Sequence, residues 1–312
     1  MNLLLLGCSA IAKRRILPAL SRLNEIDFVD AASRRGGTIA EDFCLRGTPY
    51  DTFDKAIEKS VAEIVYVSTE NSTHVKYSER AILSGRHVIV DKPAFLNADD
   101  TDRLLELAVK NNVFLGEAIV FLSHPRVEKL KDLMKREEPP IFAQACFSIP
   151  PLMEDNFRYD VVMGGGAIND MGPYAAATWR FLFGEEPDFI DSKILKKNQV
   201  DTCFSITAMT SNVGCFSGIY GFNSEYQNWI SISGQSFNFK LDRFCSPPPD
   251  LKLGIEVKKM NNASVACTRV DDCFKVFLEG VLSLIQRKEL TYYHENMIAD
   301  AKFCDRVRAL SG

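Results

Sequence analysis

Up to residue 117 the chain alternates short apolar runs with amphipathic stretches. Residues 3–6 are four leucines in a row, followed by a helical pattern through Ile16, Leu17, Leu20 and Leu23. A second apolar run covers 28–32, a second helix is expected at 40–45, and a short one at 56–60 precedes the strand-like 64–68. Residues 74–83 read as helix, 87–90 as strand, 101–110 as an amphipathic helix, and 113–115 as the last short strand of the series. Short, continuously apolar strands separated by helices imply a parallel sheet covered on both faces. The expected fold class is therefore α/β, beginning with a doubly wound, Rossmann-like parallel sheet that takes ligands beyond the carboxyl ends of its strands.

Past about residue 125 the periodicity changes. A helix is expected at 125–135, and then strand-like stretches at 142–149, 190–195, 203–209, 214–222, 229–233 and 237–241. Several alternate, as where Cys203, Ser205 and Thr207 interleave with Phe204, Ile206 and Ala208. Turn pairs such as Ser211-Asn212 and Ser233-Gly234 separate them. Alternation points to a large, mostly antiparallel open sheet with one face solvated or covered by a partner. Helices at 272–286 and 295–310 close the chain. The expected domains are 1–120, binding a dinucleotide, and 121–312, an α+β substrate and oligomerisation domain whose last helix packs back on the first.

Composition narrows the classes. The 312 residues are 46% hydrophobic and 25% charged, with a net charge of −4 and no basic footprint for nucleic acid. The start Leu3-Leu4-Leu5-Leu6-Gly7-Cys8 looks superficially like a lipoprotein cleavage site. No positive residue precedes it, and the run falls short of the roughly 7–15 residues of a secretory segment. No later run approaches the roughly 18 apolar residues of a membrane span, so neither nucleic acid nor membrane is an expected partner. Nine cysteines stand singly, with no CxxC spacing, as reduced thiols of a cytoplasmic protein do. With four histidines and no cysteine pair beside any of them, no metal site is expected.

Gly7-Cys8-Ser9-Ala10-Ile11-Ala12 follows the first strand and opens the first helix, matching GxGxxG/A except that Ser9 replaces the middle glycine. Such a turn brings backbone N–H groups and a helix start to a pyrophosphate, so Gly7, Ser9, Ala10 and Ile11 are candidate dinucleotide contacts. Ser9 is small, and its hydroxyl could donate to a phosphate. At the end of the second strand, where an NAD site usually has an acidic residue, the chain reads Ala32-Ser33-Arg34-Arg35. Ser33, Arg34 and Arg35 suit the 2′-phosphate of NADP(H) through charge-assisted bonds, and less well NAD(H). An exposed basic turn is the alternative.

Further along, five ordered segments resemble the glucose–fructose oxidoreductase/inositol dehydrogenase (Gfo/Idh/MocA) family. They are Ser68-Thr69-Glu70-Asn71-Ser72-Thr73-His74; Gly85-Arg86-His87-Val88-Ile89-Val90-Asp91-Lys92-Pro93, against GKHVxxEKP; Gly116-Glu117-Ala118; His124-Pro125; and Gly164-Gly165-Gly166-Ala167-Ile168-Asn169-Asp170-Met171-Gly172-Pro173-Tyr174, against GGGxxxDxGxH. Asp91 stands where the pattern has Glu, and Tyr174 where it has His. The run from Gly7 through Leu20 is most similar to the nucleotide-sugar 3-ketoreductases of that family.

The resemblance implies hydride exchange between a nicotinamide and a carbonyl or alcohol carbon of a sugar, with Ser68, Thr69, Asn71, His74, Asp91, Lys92 and Pro93 about the cofactor. Lys92 stands at the carboxyl end of an apolar strand, where partial burial would lower its pKa and suit it to acid–base work. Outside that context it would read as an exposed loop lysine. The family's Lys-Pro bond is cis, and a cis Pro93 is expected here too. Tyr174 is expected on a helix with Asp170 four residues earlier on the same face, and a nearby ammonium would lower the phenol's pKa. The implied catalytic residues are Lys92, Tyr174 and Asp170; Asp170, Tyr174, Asn156 and Arg158 would face substrate, the last two near the mouth of a cleft. The glycines at 164–166 are either a flexible turn or a close approach to the sugar. His124 reads as structural. The partners implied are a sugar or nucleotide-sugar and, through the second sheet, another copy of the chain. A free aldose or polyol dehydrogenase and a non-catalytic NADP-binding regulator are the rival readings; the pairing of Lys92 with Tyr174 speaks against the regulator.

Overall fold

A computed structural model of the chain describes residues 1–33, 46–139, 141–260 and 262–310. The chain divides into two compact units, one of 1–118 with 274–298 and one of 119–273 with 299–312. The helix expected at 40–45 lies outside the described residues, as do Arg34 and Arg35.

The first unit holds a six-stranded parallel sheet: β1 (Leu3–Leu6), β2 (Val29–Ala32), β3 (Pro49–Tyr50), β4 (Ile64–Val67), β5 (His87–Val90) and β6 (Leu115–Glu117). Their order is β3-β2-β1-β4-β5-β6, the doubly wound arrangement whose strand order reverses beside β1. β1, β2 and β4 are buried at every position, as expected of strands covered on both faces. Among the described residues four α-helices intervene: α1 (Leu17–Leu20), α2 (Phe53–Lys59), α3 (His74–Leu83) and α4 (Ala98–Lys110). A π-helical turn over Ala12–Ile16 leads into α1, next to Pro18, which has no N–H to continue the α ladder. α2 and α4 start on Thr52 and Asn97, whose side chains accept from Lys55 and Asp100 N–H. The core joins Leu4, Leu6, Val65, Val67, Val88 and Val90 to Ala81, Ile82, Leu104 and Ala108 of the helices.

Helix α7 (Cys273–Gln286) lies, from Phe274 on, in this first unit despite its late position. The Arg15 guanidinium stacks 4.8 Å over the Phe274 ring, and Phe277 and Phe114 both contact Tyr293.

The second unit is an eight-stranded sheet: β7 (Ile141–Ser148), β8 (Phe189–Lys197), β9 (Val200–Thr210), β10 (Gly214–Gly221), β11 (Gln227–Ser233), β12 (Phe237–Asp242), β13 (Gly254–Lys259) and β14 (Asn262–Cys267). The order is β14-β13-β12-β11-β7-β10-β9-β8, antiparallel throughout except for β7 with β10. β9 alternates buried and more open positions along its length, as a half-covered strand must. The β13–β14 hairpin was not foreseen. Helix α5 (Pro125–Met134) precedes the sheet, and α6 (Ala167–Phe183) packs on β9 and β10. Ala143, Phe147, Ile206, Phe216, Ile230 and Phe239 meet Ala167, Met171, Ala175 and Trp179 in its core. Helix α8 (His294–Ala309) is closed onto α6 by a bidentate pair in which Arg180 donates to Asp300, both bonds at 2.8 Å. No helix among the described residues is long and apolar enough to cross a membrane.

Candidate active site

In the first unit, register brings the expected residues to one rim. Leu6 pairs with Ala32 and with Val67, and Val67 with Val90. The next residue along each strand is therefore Gly7, Ser33, Ser68 and Asp91, in adjacent positions at the carboxyl edge of the sheet. Gly7 has φ +98°, and its N–H donates to the Ala32 carbonyl at 3.0 Å. A Cβ there would lie 2.2 Å from the Ser68 carbonyl oxygen. Only glycine combines that backbone with that approach. The turn thus leaves Ala10 exposed and Ile11 half-buried at the start of the helical segment, a backbone suited to an anionic ligand.

The side chains on this rim bind one another. Tyr66 Oη and Ser68 Oγ donate to the two oxygens of Asp91 at 2.8 and 2.5 Å. Ser9 Oγ lies 2.8 Å from Ser68 Oγ and accepts the Ala12 N–H at 3.0 Å. The Ser9 hydroxyl, expected to reach a phosphate, is thus engaged inside the fold, because Ser68 has already given its proton to the carboxylate. Burial raises the Asp91 pKa, opposed by the bonds from Ser68 and Tyr66 and by the charges of His74 and Lys92.

Lys92 is half-buried, and its bond to Pro93 is cis. His74 is fully buried, with Nδ1 2.9 Å from the Pro93 carbonyl and Nε2 3.2 Å from that of Thr69. Burial lowers its pKa, against the backbone bonds and Asp91. It braces two loops and offers no surface to a cofactor, contrary to the role the resemblance implied. Thr69 also meets Thr73 through their hydroxyls at 2.7 Å, Asn71 is buried in the short turn before α3, and the Ser33 N–H donates to Tyr50.

The second unit carries the other expected residues. Asp170 and Tyr174 lie one turn apart on α6. Arg158 binds Asp170 in a fork, Nε to Oδ2 at 2.8 Å and Nη2 to Oδ1 at 3.1 Å. Asp170 is buried, and a buried carboxylate requires such a partner. Arg158 therefore anchors Asp170. Asn156 likewise has a local task, its Oδ1 accepting the Arg158 N–H at 3.1 Å. Burial opposes the Arg158 charge, but Asp170 and Tyr174 outweigh it and hold the guanidinium above its ordinary pKa.

Tyr174 packs against Phe121 and Phe147 at ring distances of 5.6 and 5.1 Å. Burial, then Asp170, Cys245 and Cys273, push the phenol well above the ordinary tyrosine value, against a smaller opposing effect of Arg158. The lowered phenol expected from a nearby ammonium is thus reversed, since burial outweighs the charge of Arg158. The glycine run closes the chain on itself. A Cβ at Gly165 would stand 2.6–2.7 Å from three backbone oxygens of residues 157–160, and one at Gly166, φ +108°, 2.3 Å from Asp201. Asp201 in turn caps α6 by accepting the Ile168 N–H at 2.6 Å.

Three contributors went unnoticed in the sequence: Tyr66, Asp201, and Glu117, which accepts the Ala94 N–H at 2.8 Å. Only Glu117 stood in a segment already singled out. His124 caps α5, its Nδ1 accepting from Arg126 N–H. No group of metal-ligating side chains occurs among the described residues.

Residues 1–118 match the model of an oxidoreductase family with an NAD-binding Rossmann fold. The dTDP-3,4-didehydro-2,6-dideoxy-alpha-D-glucose 3-reductase of Saccharopolyspora spinosa is 31% identical over 81% of this chain and 78% of its own. The enzyme of that name from Actinomadura kijaniata is 27% identical over 97% of this chain and 93% of its own. The crystal structure of KijD10, a 3-ketoreductase from Actinomadura kijaniata in complex with NADP and TDP-benzene, has a TM-score of 0.93 at 23% identity, covering 100% of this chain and 98% of that one. At that identity the likeness is one of fold.

Proposed function

The chain belongs to the Gfo/Idh/MocA oxidoreductase family, and from that premise we propose that it is an NADPH-dependent ketoreductase acting on a keto-sugar carried by a nucleoside diphosphate. The observation that carries this reading is the match along 97% of the chain to an enzyme named as a dTDP-keto-sugar 3-reductase. The carboxyl rim of the parallel sheet fits the cofactor: a positive-φ glycine leaves room where a Cβ would not fit, and hydroxyls follow at Ser33, Ser68 and Thr69. Gly7, Ser9, Ala10 and Ile11 would hold the pyrophosphate by their backbone. Ser33, Arg34 and Arg35 would take the 2′-phosphate, and Ser68, Thr69, Asn71, Asp91, Lys92 and Pro93 the nicotinamide half. His74 supports that loop from beneath.

NADPH supplies the hydride when bound. Reduction leaves negative charge on the former carbonyl oxygen, so the chain must provide a proton. Tyr174 keeps its proton throughout the neutral range, because burial and Asp170 both disfavour the phenolate. That leaves Tyr174 in the protonated form that a donor in the reducing direction needs. Lys92 is the second acid–base group. Asp170, fixed by Arg158, orients sugar hydroxyls.

The open face of the eight-stranded sheet exposes Phe142, Phe189, Leu195, Met209 and Ile219, and we assign it to a second copy of the chain. Sedimentation should give a dimer or higher species that Ile219→Lys dissociates; a monomer at all concentrations removes that part. The activity itself is tested with a panel of dTDP-linked keto-sugars, aldoses and polyols, each with both cofactors. Nicotinamide absorbance should fall with the nucleotide-linked ketones, whereas turnover confined to aldoses or polyols overturns the assignment.

A further inference from the structure

We propose that Ser9, Ser68 and Asp91 form one hydrogen-bonded unit that positions Lys92 and joins its loop to the glycine turn, an inference that rests on the acid–base role given to Lys92 above. The chain of bonds has a single polarity. A carboxylate can only accept, so the one proton of Ser68 goes to Asp91. Ser68 can then only accept from Ser9 across their 2.8 Å contact, and the Ser9 oxygen in turn accepts the Ala12 N–H. Tyr66 holds the other carboxylate oxygen. Every hydroxyl proton is used, and the bonds run without a break from the start of the first helical segment, across the end of β4, to the end of β5.

Lys92 sits in a stretch pinned on both sides. The Asp91 side chain is held by two hydroxyls, the Pro93 carbonyl by His74, and the Ala94 N–H by Glu117. The charge of Lys92 and, when protonated, that of His74 favour the ionised form of Asp91. The half-buried ammonium thereby projects from backbone with little freedom, as acid–base chemistry requires. Ser9, which replaces the middle glycine of the dinucleotide fingerprint, and Asp91, which replaces the family's Glu, are the two ends of this chain of bonds. A glycine at position 9 would leave Ser68 without its donor, and a glutamate at 91 would push the carboxylate one methylene further into the same hydroxyls. The departures therefore belong together. Events at the glycine turn, including cofactor phosphate binding, reach Lys92 through three hydrogen bonds.

The test uses the full chain with NADPH and the sugar it accepts. Ser68→Ala should lower kcat about tenfold or more, the scale of a lost hydrogen bond to a charged group, with the sugar KM unchanged. Ser68→Thr should recover most of that loss. Ser9→Ala should lower kcat alone but cost nothing further on top of Ser68→Ala, since residues acting as a unit are non-additive. Additive effects, or a loss of NADPH affinity with kcat intact, overturn the proposal. If Ser68→Ala does not fold, Ser9→Ala carries the test, because Ser9 is half-exposed and outside the core. Two further measurements separate this inference from the reading beneath it. If Lys92→Ala retains wild-type turnover, the acid–base role itself is wrong, and the positioning proposal falls with it. In the cofactor-free protein, Asp91→Asn should speed hydrogen exchange at the Ala12 amide about tenfold if the bonds act as a unit, and unchanged exchange means they do not.

Discussion

Replacing Arg158 with Met removes both bonds to Asp170, at 2.8 and 3.1 Å, while keeping most of the aliphatic stem. The Asp170 side chain is only 10% exposed, so water does not substitute for the lost donors. Hydrogen bonds to a charged group contribute about 1.5–3 kcal/mol, and breaking a buried pair by removing one partner costs about 3–5 kcal/mol. Arg158 itself keeps 27% of its side chain open, which places the expected loss at the lower end, about 3 kcal/mol. Both tryptophans, Trp179 and Trp229, belong to the second unit, so tryptophan fluorescence in urea follows the part of the protein where the damage occurs. The Arg158→Met transition should move to lower urea with an unchanged slope. The double variant Arg158→Met/Asp170→Asn should regain at least half of the loss, because the orphaned charge is gone. A single-variant loss below about 0.5 kcal/mol, the range of an ordinary surface change, would refute the claim that this pair anchors α6.

Three further outcomes follow from the first unit and its rim. His74, His87 and His294, all in that unit, have pKa values lowered from 6.5 chiefly by burial; the unfolded chain then binds more protons than the native one just below that value, so stability is present above about pH 6.5 and is lost as the pH falls toward the depressed native pKa values. The protection of first-unit peptides from hydrogen exchange, taken relative to the intrinsic rate at each pH, should fall over that window, and a flat profile contradicts it. Gly7→Ala forces φ +98° on a residue with a Cβ and should cost at least about 1–3 kcal/mol from backbone strain alone, along with cofactor binding; a wild-type melting temperature would show that the turn relaxes freely. NADPH should bind more tightly than NADH by about 1.5–3 kcal/mol through Ser33, Arg34 and Arg35, and equal dissociation constants by calorimetry remove that assignment.

The first sheet was legible because its strands are covered on both faces, so that Leu3–Leu6 and Ile64–Val67 appear as unbroken apolar runs. The glycine turn was legible because a positive φ selects glycine. The β13–β14 hairpin escaped because β14 has no buried face: nearly all of its positions are exposed, leaving no alternation to read. Arg158 was expected near the mouth of a cleft, but its bond to Asp170 was not foreseen. It lies 12 residues before Asp170 in irregular chain, where no helical or strand period relates the two. Likewise, Ser9 and Asp91 each stood out as departures from a pattern, but their connection through Ser68 spans 59 and 23 residues and exists only through the register of β1, β4 and β5. The direction of the Tyr174 shift depended on how completely its aromatic neighbours bury it, which local sequence does not encode.

The central claim is that the substrate is a ketone on a nucleotide-linked sugar, reduced with binding energy from the remote nucleotide. The direct measurement compares kcat and kcat/KM for a dTDP-linked keto-sugar and for the same sugar without its nucleotide, at saturating NADPH. Binding energy used to orient the reacting carbon appears in turnover as well as in affinity, so the free sugar should show a lower kcat as well as a higher KM. Equal kcat and kcat/KM for the two would contradict the account.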